Sequence, residues 1–173
     1  MSAPVTLRRA LPSDVPGLLA LINGYAGRGL LLPRSEPSLR AHLDDFTVAE
    51  VEGRLAGCGA LSTLGPGLGE VRSLAVAEDR NGRGLGHLLV DHLLEQAARR
   101  GFREVLALTR RQHFFQRLGF TVTARERYLD KLRADCAACP QNSNCDETAM
   151  VRQPPAHVAP AARPYHSEGE HAR

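Results

Sequence analysis

The sequence predicts an α+β domain in which helices cover a mixed β-sheet. An apolar run at residues 70–76 has the length of a buried strand, and a glycine-rich turn and a long amphipathic helix follow it. Two further apolar runs, at 47–51 and 55–64, flank Gly53 and are typical of an antiparallel hairpin. With 173 residues, the chain is long enough for one core.

The first helix is predicted from its cap and its spacing. It follows a strand at 5–8, and Ser13 or Asp14 can cap its first amides, with Pro16 tolerated in the first turn. Its apolar face is Leu18, Leu19, Ile22 and Tyr25, and glycines at 24, 27 and 29 end it. A short helix is expected at 38–45, before the hairpin.

Strands and helices also alternate in the second half of the chain. After the strand at 70–77, the longest helix is expected at 84–100, with one buried face at Leu85, Leu88, Leu89, Leu93 and Ala97. The remaining expected elements are a strand at 105–109, a short helix at 112–118, and strands at 120–124 and 148–151.

A change of composition divides the chain into two parts. Residues 1–152 carry every predicted element, including a cysteine-bearing segment at 134–147, and are expected to form one domain. Residues 153–173 contain four prolines, three histidines and few apolar side chains, which predicts a flexible tail.

The composition argues against two classes of partner. A net charge of +3 without Trp or a long basic run does not suit a nucleic-acid-binding protein. No apolar run approaches the length of a membrane span, and the N-terminus lacks the apolar core of a signal peptide. A cytoplasmic protein is expected.

Three glycines, Gly82, Gly84 and Gly86, separate the strand at 70–77 from the long helix. Such a turn presents backbone amides to a phosphate, because glycine permits close approach and the first helical amides have no internal partner. The turn lacks the Lys-Ser/Thr of a Walker A loop and the spacing of a dinucleotide fingerprint. The alternative is a glycine turn that only begins the helix and binds no phosphate.

Residues 73–86, SLAVAEDRNGRGLG, resemble the acetyl-CoA pyrophosphate loop of the GNAT N-acetyltransferases, usually written Gln/Arg-x-x-Gly-x-Gly/Ala. Asn81 stands where that family prefers Gln or Arg. The segment LTRRQHFFQRLGF at 108–120 resembles the family's next strand, helix and Gly-Phe turn. Further segments between 30 and 152, from LLPRS to ADCAACPQNSNCDETAMV, resemble the short single-domain N-acetylglutamate synthases.

This resemblance implies a GNAT fold and an acyltransferase that moves the acetyl group of acetyl-CoA to the α-amine of L-glutamate, the first step of arginine biosynthesis. A GNAT enzyme for another amine, or a non-catalytic acyl-CoA-binding module, is the alternative. A homodimer paired through an edge strand is also implied. The coenzyme contacts carried over are Leu74, Ala75, Val76, Asn81, Gly82, Arg83, Gly84, Leu85, Gly86 and His87.

The resemblance also suggests catalytic groups. Glu70 is the candidate base, with a solvent-exposed strand-end glutamate as the alternative. The backbone N–H of Leu74 is the candidate oxyanion donor, on a strand expected to carry a bulge and to splay from its neighbour. Phe115 occupies the place of the family's tyrosine acid, with Tyr128 and His113 as possible substitutes.

Arginines are the natural partners of the two carboxylates of glutamate. Arg72 lies two residues from Glu70, so that a regular strand would put both on one face. Arg34 and Arg110 are further candidates, and Ser73 is a candidate hydrogen-bond donor.

The chain has four cysteines, Cys58, Cys136, Cys139 and Cys145. The Cys136-x2-Cys139 spacing resembles half of a zinc knuckle, but a fourth ligand is not evident. A disulfide is not expected in a reducing cytosol. Reduced structural thiols and a zinc clasp remain alternatives, and no metal is expected.

Overall fold

The computed structural model describes residues 4–129, 135–137, 139 and 142–156. Within them, one mixed sheet has the strand order β1-β2-β3-β4-β5-β7-β6. The strands are β1 Val5–Arg9, β2 Phe46–Val51, β3 Arg54–Gly65, β4 Leu68–Val76, β5 Glu104–Thr109, β6 Thr121–Val122 and β7 Thr148–Arg152. The helices are α1 Val15–Ala26, α2 Glu36–Ala41, α3 Leu85–Arg99 and α4 Gln112–Arg117.

The sheet divides between β4 and β5, its one parallel pair within the described residues. These strands are in register only from Leu68 opposite Glu104 to Glu70 opposite Leu106. Beyond Glu70, β4 has no further register partner on β5 in this part of the structure, whereas β5 continues to pair with β7 as far as Thr109. The two strands therefore separate, as expected, and Glu70 lies at the apex of the gap.

A β-bulge in β4 lies three residues beyond that apex. Cys58 pairs with Ala75 and Ala60 pairs with Arg72, so that two residues of β4 face one residue of β3. Ser73, one of the two, has a φ of 52°, which is unusual for a residue with a side chain. The expected bulge is confirmed, and it frees the backbone of Ser73 and Leu74 from the regular ladder.

Helices cover both faces of the sheet. On one face, Leu93 and Leu94 of α3 and Phe115 of α4 pack with Val71 and Val105. On the other face, the apolar side chains of α1 and α2 pack against β2, β3 and Ala75 at the end of β4. Val71 and Ala75 lie on opposite sides of the sheet although they are four residues apart, because the bulge shifts the alternation of β4 side chains by one residue.

Several local expectations need correction. Leu88 is 45% exposed, because Val90 and Leu94 take up the buried face of α3 instead. The strand expected at 120–124 is only Thr121–Val122. The second helix begins earlier, because the Ser35 side chain caps it by accepting from the Ser38 N–H. Its expected end is a separate 3-10 turn at Leu43–Asp45.

The first helix also differs from expectation at both ends. Gly24 lies inside α1, which continues to Ala26. Asp14 precedes the helix, but its carboxylate accepts from the Leu11 N–H and from the Arg8 guanidinium at 2.7 and 3.0 Å rather than from helical amides. Asp14 therefore ties α1 to β1.

This contact makes stability depend on pH. The hydrogen bonds from Arg8 hold the pKa of Asp14 below its usual range. A depressed folded-state pKa contributes stability above the unfolded value of about 4, and that stability is lost as the pH falls through the folded value. We expect Asp14→Asn to lower the free energy of unfolding by about 1–2 kcal/mol at pH 7. Urea unfolding should show a smaller difference at pH 3, and an equal difference at both pH values would contradict this.

Two sequence predictions fall partly outside the described residues. The tail predicted at 153–173 is described only to residue 156, and the cysteine-bearing segment at 134–147 is described in part. None of the helices in the described ranges combines the length and the apolar character that a bilayer crossing requires.

Candidate active site

Two adjoining cavities occupy the gap where β4 leaves β5. The larger, of about 510 Å³, follows β4 from Val71 to Val76 and reaches the start of α3 and Phe114 of α4. The smaller, of about 100 Å³, lies beside Glu70. Both are lined by Val71, Arg72, Ser73, Leu31, Leu108 and Glu147. A ligand in one cavity can therefore reach a ligand in the other at the apex.

The glycine loop closes one end of the larger cavity. Gly82 and Gly84 have φ angles of 74° and 79°, in the left-handed region that favours glycine. No hydrogen bond found among the described residues uses a backbone amide from Gly82 to His87 as its donor. These amides at the N-terminus of α3 are therefore available to an anion.

The expected coenzyme contacts lie together, with one exception. Leu74, Ala75, Val76, Asn81, Gly82, Gly84, Leu85, Gly86 and His87 all line the larger cavity. Arg83 is exposed and is not part of the lining. Positive charge comes instead from Arg111 and from two side chains that sequence reasoning did not select, Arg80 and Arg117. These guanidiniums make the cavity suitable for a polyanionic ligand.

Tyr25 of α1 holds the glycine loop to the end of β4. Its hydroxyl donates to the Val76 carbonyl at 2.6 Å and accepts from the Asn81 amide nitrogen at 3.3 Å. Asn81 thus has a structural partner at the position where the resemblance leads one to expect Gln or Arg. The sequence held no signal for this contact, because Tyr25 is 51 residues from Val76.

We expect Tyr25→Phe to raise the acetyl-CoA KM about 5- to 30-fold, because one or both of the lost hydrogen bonds, each of about 1 kcal/mol, stabilise the loop that binds the coenzyme. Tyr128→Phe is the matched control, since the buried Tyr128 hydroxyl has no partner among the described residues. Steady-state kinetics at saturating acceptor would measure both variants. An unchanged acetyl-CoA KM in Tyr25→Phe would contradict the positioning role.

Glu70 and Arg72 lie on one face of β4, as predicted. The Glu70 side chain is only 3% exposed, and its Oε2 is 3.7 Å from the Arg72 Nη1. The same Arg72 nitrogen donates to the Asp135 carboxylate at 3.0 Å. The bulge begins after Arg72, so it leaves the shared face intact. Glu70 lines the smaller cavity and is not a solvent-exposed strand end.

Arg34 reaches the smaller cavity from the loop before α2. Asn23 holds its backbone by accepting from the Arg34 N–H at 2.9 Å and donating to its carbonyl at 3.0 Å. Its Nε donates to the Ser73 hydroxyl at 3.3 Å. No carboxylate in the described part of the chain lies within 4.0 Å of its guanidinium. Burial, and then the nearby Arg72, lower the pKa of Arg34. A bound anion would relieve this repulsion.

Arg110 is placed differently from Arg34 and Arg72. It lines the larger cavity, where its guanidinium donates to the Gly29 carbonyl at 3.0 Å and to the Asp146 carboxylate at 2.5 Å. These contacts hold two loops together across the opening. A third arginine of the smaller cavity, Arg125, was not selected from the sequence, because nothing in its local pattern marks it.

The cysteines fall into two environments. Cys58 is buried, burial raises the pKa of its thiol to about 12, and it donates to the Ser73 carbonyl at 3.5 Å. Cys136, Cys139 and Cys145 line the smaller cavity and are not in disulfides. Across residues 4–129, 135–137, 139 and 142–156, no cluster of three or more His, Cys, Asp or Glu side chains has a metal-binding arrangement.

The candidate proton donors are not at the site. Phe115 lines the larger cavity and has no hydroxyl. Tyr128 is buried near Leu106 and Ala149 and lines neither cavity, and His113 is exposed and lines neither. Both substitutes therefore lie outside the cavities that meet at Glu70.

Comparison with known proteins identifies the family. Residues 24–120 match the acetyltransferase (GNAT) family. An uncharacterized N-acetyltransferase of Chlorobaculum tepidum is 36% identical over 151 residues, which cover 87% of this chain and 97% of that protein. An amino-acid acetyltransferase of Mycobacterium tuberculosis is 42% identical over 118 residues, 66% of this chain and 67% of that protein.

Solved structures agree with this match. The N-acetylglutamate synthase of Neisseria gonorrhoeae, complexed with coenzyme A and N-acetyl-glutamate, has a TM-score of 0.80 at 29% identity, over 89% of this chain and 36% of that one. A Mycobacterium tuberculosis structure in complex with CoA has a TM-score of 0.75 at 32% identity, over 86% of this chain and 98% of that one. The chain belongs to the GNAT family and is an acetyltransferase.

Proposed function

We propose that the protein transfers the acetyl group of acetyl-CoA to the α-amine of L-glutamate, as the first step of arginine biosynthesis in the cytoplasm. The observation that carries this proposal is the convergence of Glu70, Arg72 and Arg34 on the small cavity at the apex of the gap. A carboxylate base and two guanidiniums in so small a space suit a dicarboxylic amino acid. The similarity to proteins named amino-acid acetyltransferase supports it further.

The first step is binding of acetyl-CoA in the larger cavity. Its diphosphate would accept hydrogen bonds from the amides of Gly82 to His87, where the dipole of α3 also favours negative charge. Its pantetheine arm would occupy the gap between β4 and β5, beside the backbone of Leu74 to Val76. This path leads the thioester towards Glu70.

The second step is recognition of the acceptor in the smaller cavity. Arg34 would bind one carboxylate, because its guanidinium is partly buried close to Arg72 and no carboxylate of the described residues lies within 4.0 Å of it. Arg72 is held by Glu70 and Asp135, so it would orient the second carboxylate through its remaining nitrogens. Ser73 supports Arg34 through its hydroxyl.

The third step is the chemistry. The Glu70 carboxylate would accept a proton from the acceptor ammonium, directly or through one water, and the neutral amine would attack the thioester carbonyl. Leu74, released from the ladder by the bulge, would donate its N–H to the oxyanion. Collapse breaks the C–S bond and releases the coenzyme A thiolate, and the second proton of the attacking nitrogen passes to that thiolate or to water to give the neutral amide and the thiol. The leaving thiolate needs no protein acid in this scheme, in keeping with Phe115.

Incubation of the purified protein with acetyl-CoA and a panel of amino acids tests the proposal. Mass spectrometry of the product is preferable to a thiol reagent, because the protein itself has free cysteines. Glutamate should give the highest kcat/KM, aspartate less because it is one methylene shorter, and glutamine less because one charge is missing.

Other outcomes assign the site differently. Turnover of an amine without a carboxylate would point to another acceptor. Acetyl-CoA binding by calorimetry without turnover of any amine would indicate an acyl-CoA-binding module. The homodimer expected from the resemblance stays a prediction, which sedimentation of the full chain would test.

A further inference from the structure

Three thiols line the smaller cavity, and none of them takes part in the proposed chemistry. Cys136, Cys139 and Cys145 lie there together with Arg125. Cys136 is buried, whereas Cys139 and Cys145 are half-exposed. Two thiols of the group are therefore open to a small reagent, and the third is buried in the same cavity.

Cys136 and Cys139 are placed to pair with each other. The Cys139 N–H donates to the Cys136 carbonyl at 3.1 Å, the hydrogen bond that joins the first and last residues of a β-turn. The ends of such a turn have Cα atoms less than about 7 Å apart, and disulfides span about 4.4–6.8 Å between Cα atoms. Cys145 shares no such turn with either residue in the described structure.

We propose that Cys136 and Cys139 form a peroxide-sensitive dithiol whose oxidation weakens acceptor binding; the inference rests on the assignment of the small cavity to the acceptor. The Cys139 sulfur attacks a peroxide oxygen, the O–O bond breaks, and a sulfenic acid and water form. The Cys136 sulfur then attacks the sulfenic sulfur, the S–O bond breaks and a second water leaves. Two electrons pass from the two sulfurs to the peroxide.

The disulfide would act on the acceptor site through two neighbours. Asp135 precedes Cys136 directly and bonds Arg72 at 3.0 Å, so movement of this backbone disturbs an acceptor arginine. Arg125 lines the same cavity of about 100 Å³ as Cys136, so movement of the Cys136 sulfur also changes the space around that guanidinium. Neither change touches the glycine loop or the Tyr25 contact. Oxidation should therefore raise the acceptor KM and leave the acetyl-CoA KM unchanged.

The test compares the enzyme before and after hydrogen peroxide, with one portion reduced again by dithiothreitol. We expect an increase of about tenfold in the glutamate KM, reversed by reduction. Peptide mapping after alkylation should find Cys136 joined to Cys139 and Cys58 still a thiol. Cys136→Ser and Cys139→Ser should each abolish the response relative to its own untreated state, and Cys145→Ser should retain it.

An unchanged glutamate KM in the oxidised enzyme, a disulfide through Cys145, or a response that persists in both serine variants would overturn the inference. Failure of the proposed function gives a different result, namely no glutamate turnover by the fully reduced enzyme. Peptide mapping needs no acceptor, so it still decides the pairing in that case.

Discussion

Glu70→Gln is expected to lower kcat about 10²- to 10⁴-fold, the usual contribution of a general base. Glutamine keeps the shape of the side chain but cannot accept the proton of the acceptor ammonium. The acetyl-CoA KM should change little, because Glu70 lies in the smaller cavity, beyond the pantetheine path. Steady-state kinetics with glutamate would measure the loss.

Glu50→Gln is the matched control. Glu50 is also a strand carboxylate paired with an arginine, at 3.0 Å from Arg8, but it lies on β2 away from both cavities. Its kcat should equal that of the wild type. At high pH the acceptor amine is already neutral in solution, so the loss of kcat in Glu70→Gln should shrink if Glu70 only removes the ammonium proton. A loss that remains at high pH would show that Glu70 has a further role. A Glu70→Gln enzyme with wild-type kcat at pH 7 would eliminate Glu70 as the base.

Arg34→Ala is expected to lower kcat/KM for glutamate about 30- to 150-fold, through a higher glutamate KM, since a lost charge-assisted pair costs about 2–3 kcal/mol. The loop should keep its place, because Asn23 holds the Arg34 backbone rather than its side chain. The acetyl-CoA KM should stay constant, since Arg34 does not line the larger cavity.

Two further variants sharpen this prediction. Arg40→Ala removes an exposed arginine of α2 that pairs with Glu36, and it should leave the kinetics unchanged. Arg34→Lys keeps the charge but loses the bidentate geometry, and we expect an intermediate KM. Equal losses for glutamate and for glutamine in Arg34→Ala would place Arg34 on the α-carboxylate, whereas a selective loss for glutamate would place it on the side-chain carboxylate. No loss for either substrate would contradict the acceptor role.

Local sequence was sufficient for most of the strands and helices. The strand, glycine turn and helix from β4 to α3 were predicted within two residues at each boundary, because apolar periodicity and helix-terminus signals act within a few residues. The prediction was wrong where tertiary packing determines burial or strand length. Leu88 fits the helical spacing yet is exposed, and β6 has only two residues.

Some residues of the site could be predicted from the sequence and others could not. Glu70 was found through the resemblance, and Arg72 was found because a strand puts alternate residues on one face and the bulge begins only after them. Tyr25, Arg125 and Asp135 were missed, because their contacts cross long stretches of chain. Arg110 was selected as an acceptor ligand, but the structure shows its guanidinium joining Gly29 to Asp146.

The sequence by itself determined the class of fold and the loop suited to a diphosphate, since both depend on local spacing and on glycine's access to positive φ. Tertiary structure decided which charges surround Glu70. Arg34, Arg72 and Arg125 come from separate segments and meet only because β4 bulges and parts from β5. Packing between distant segments creates that cavity, and no local pattern encodes which side chains will line it.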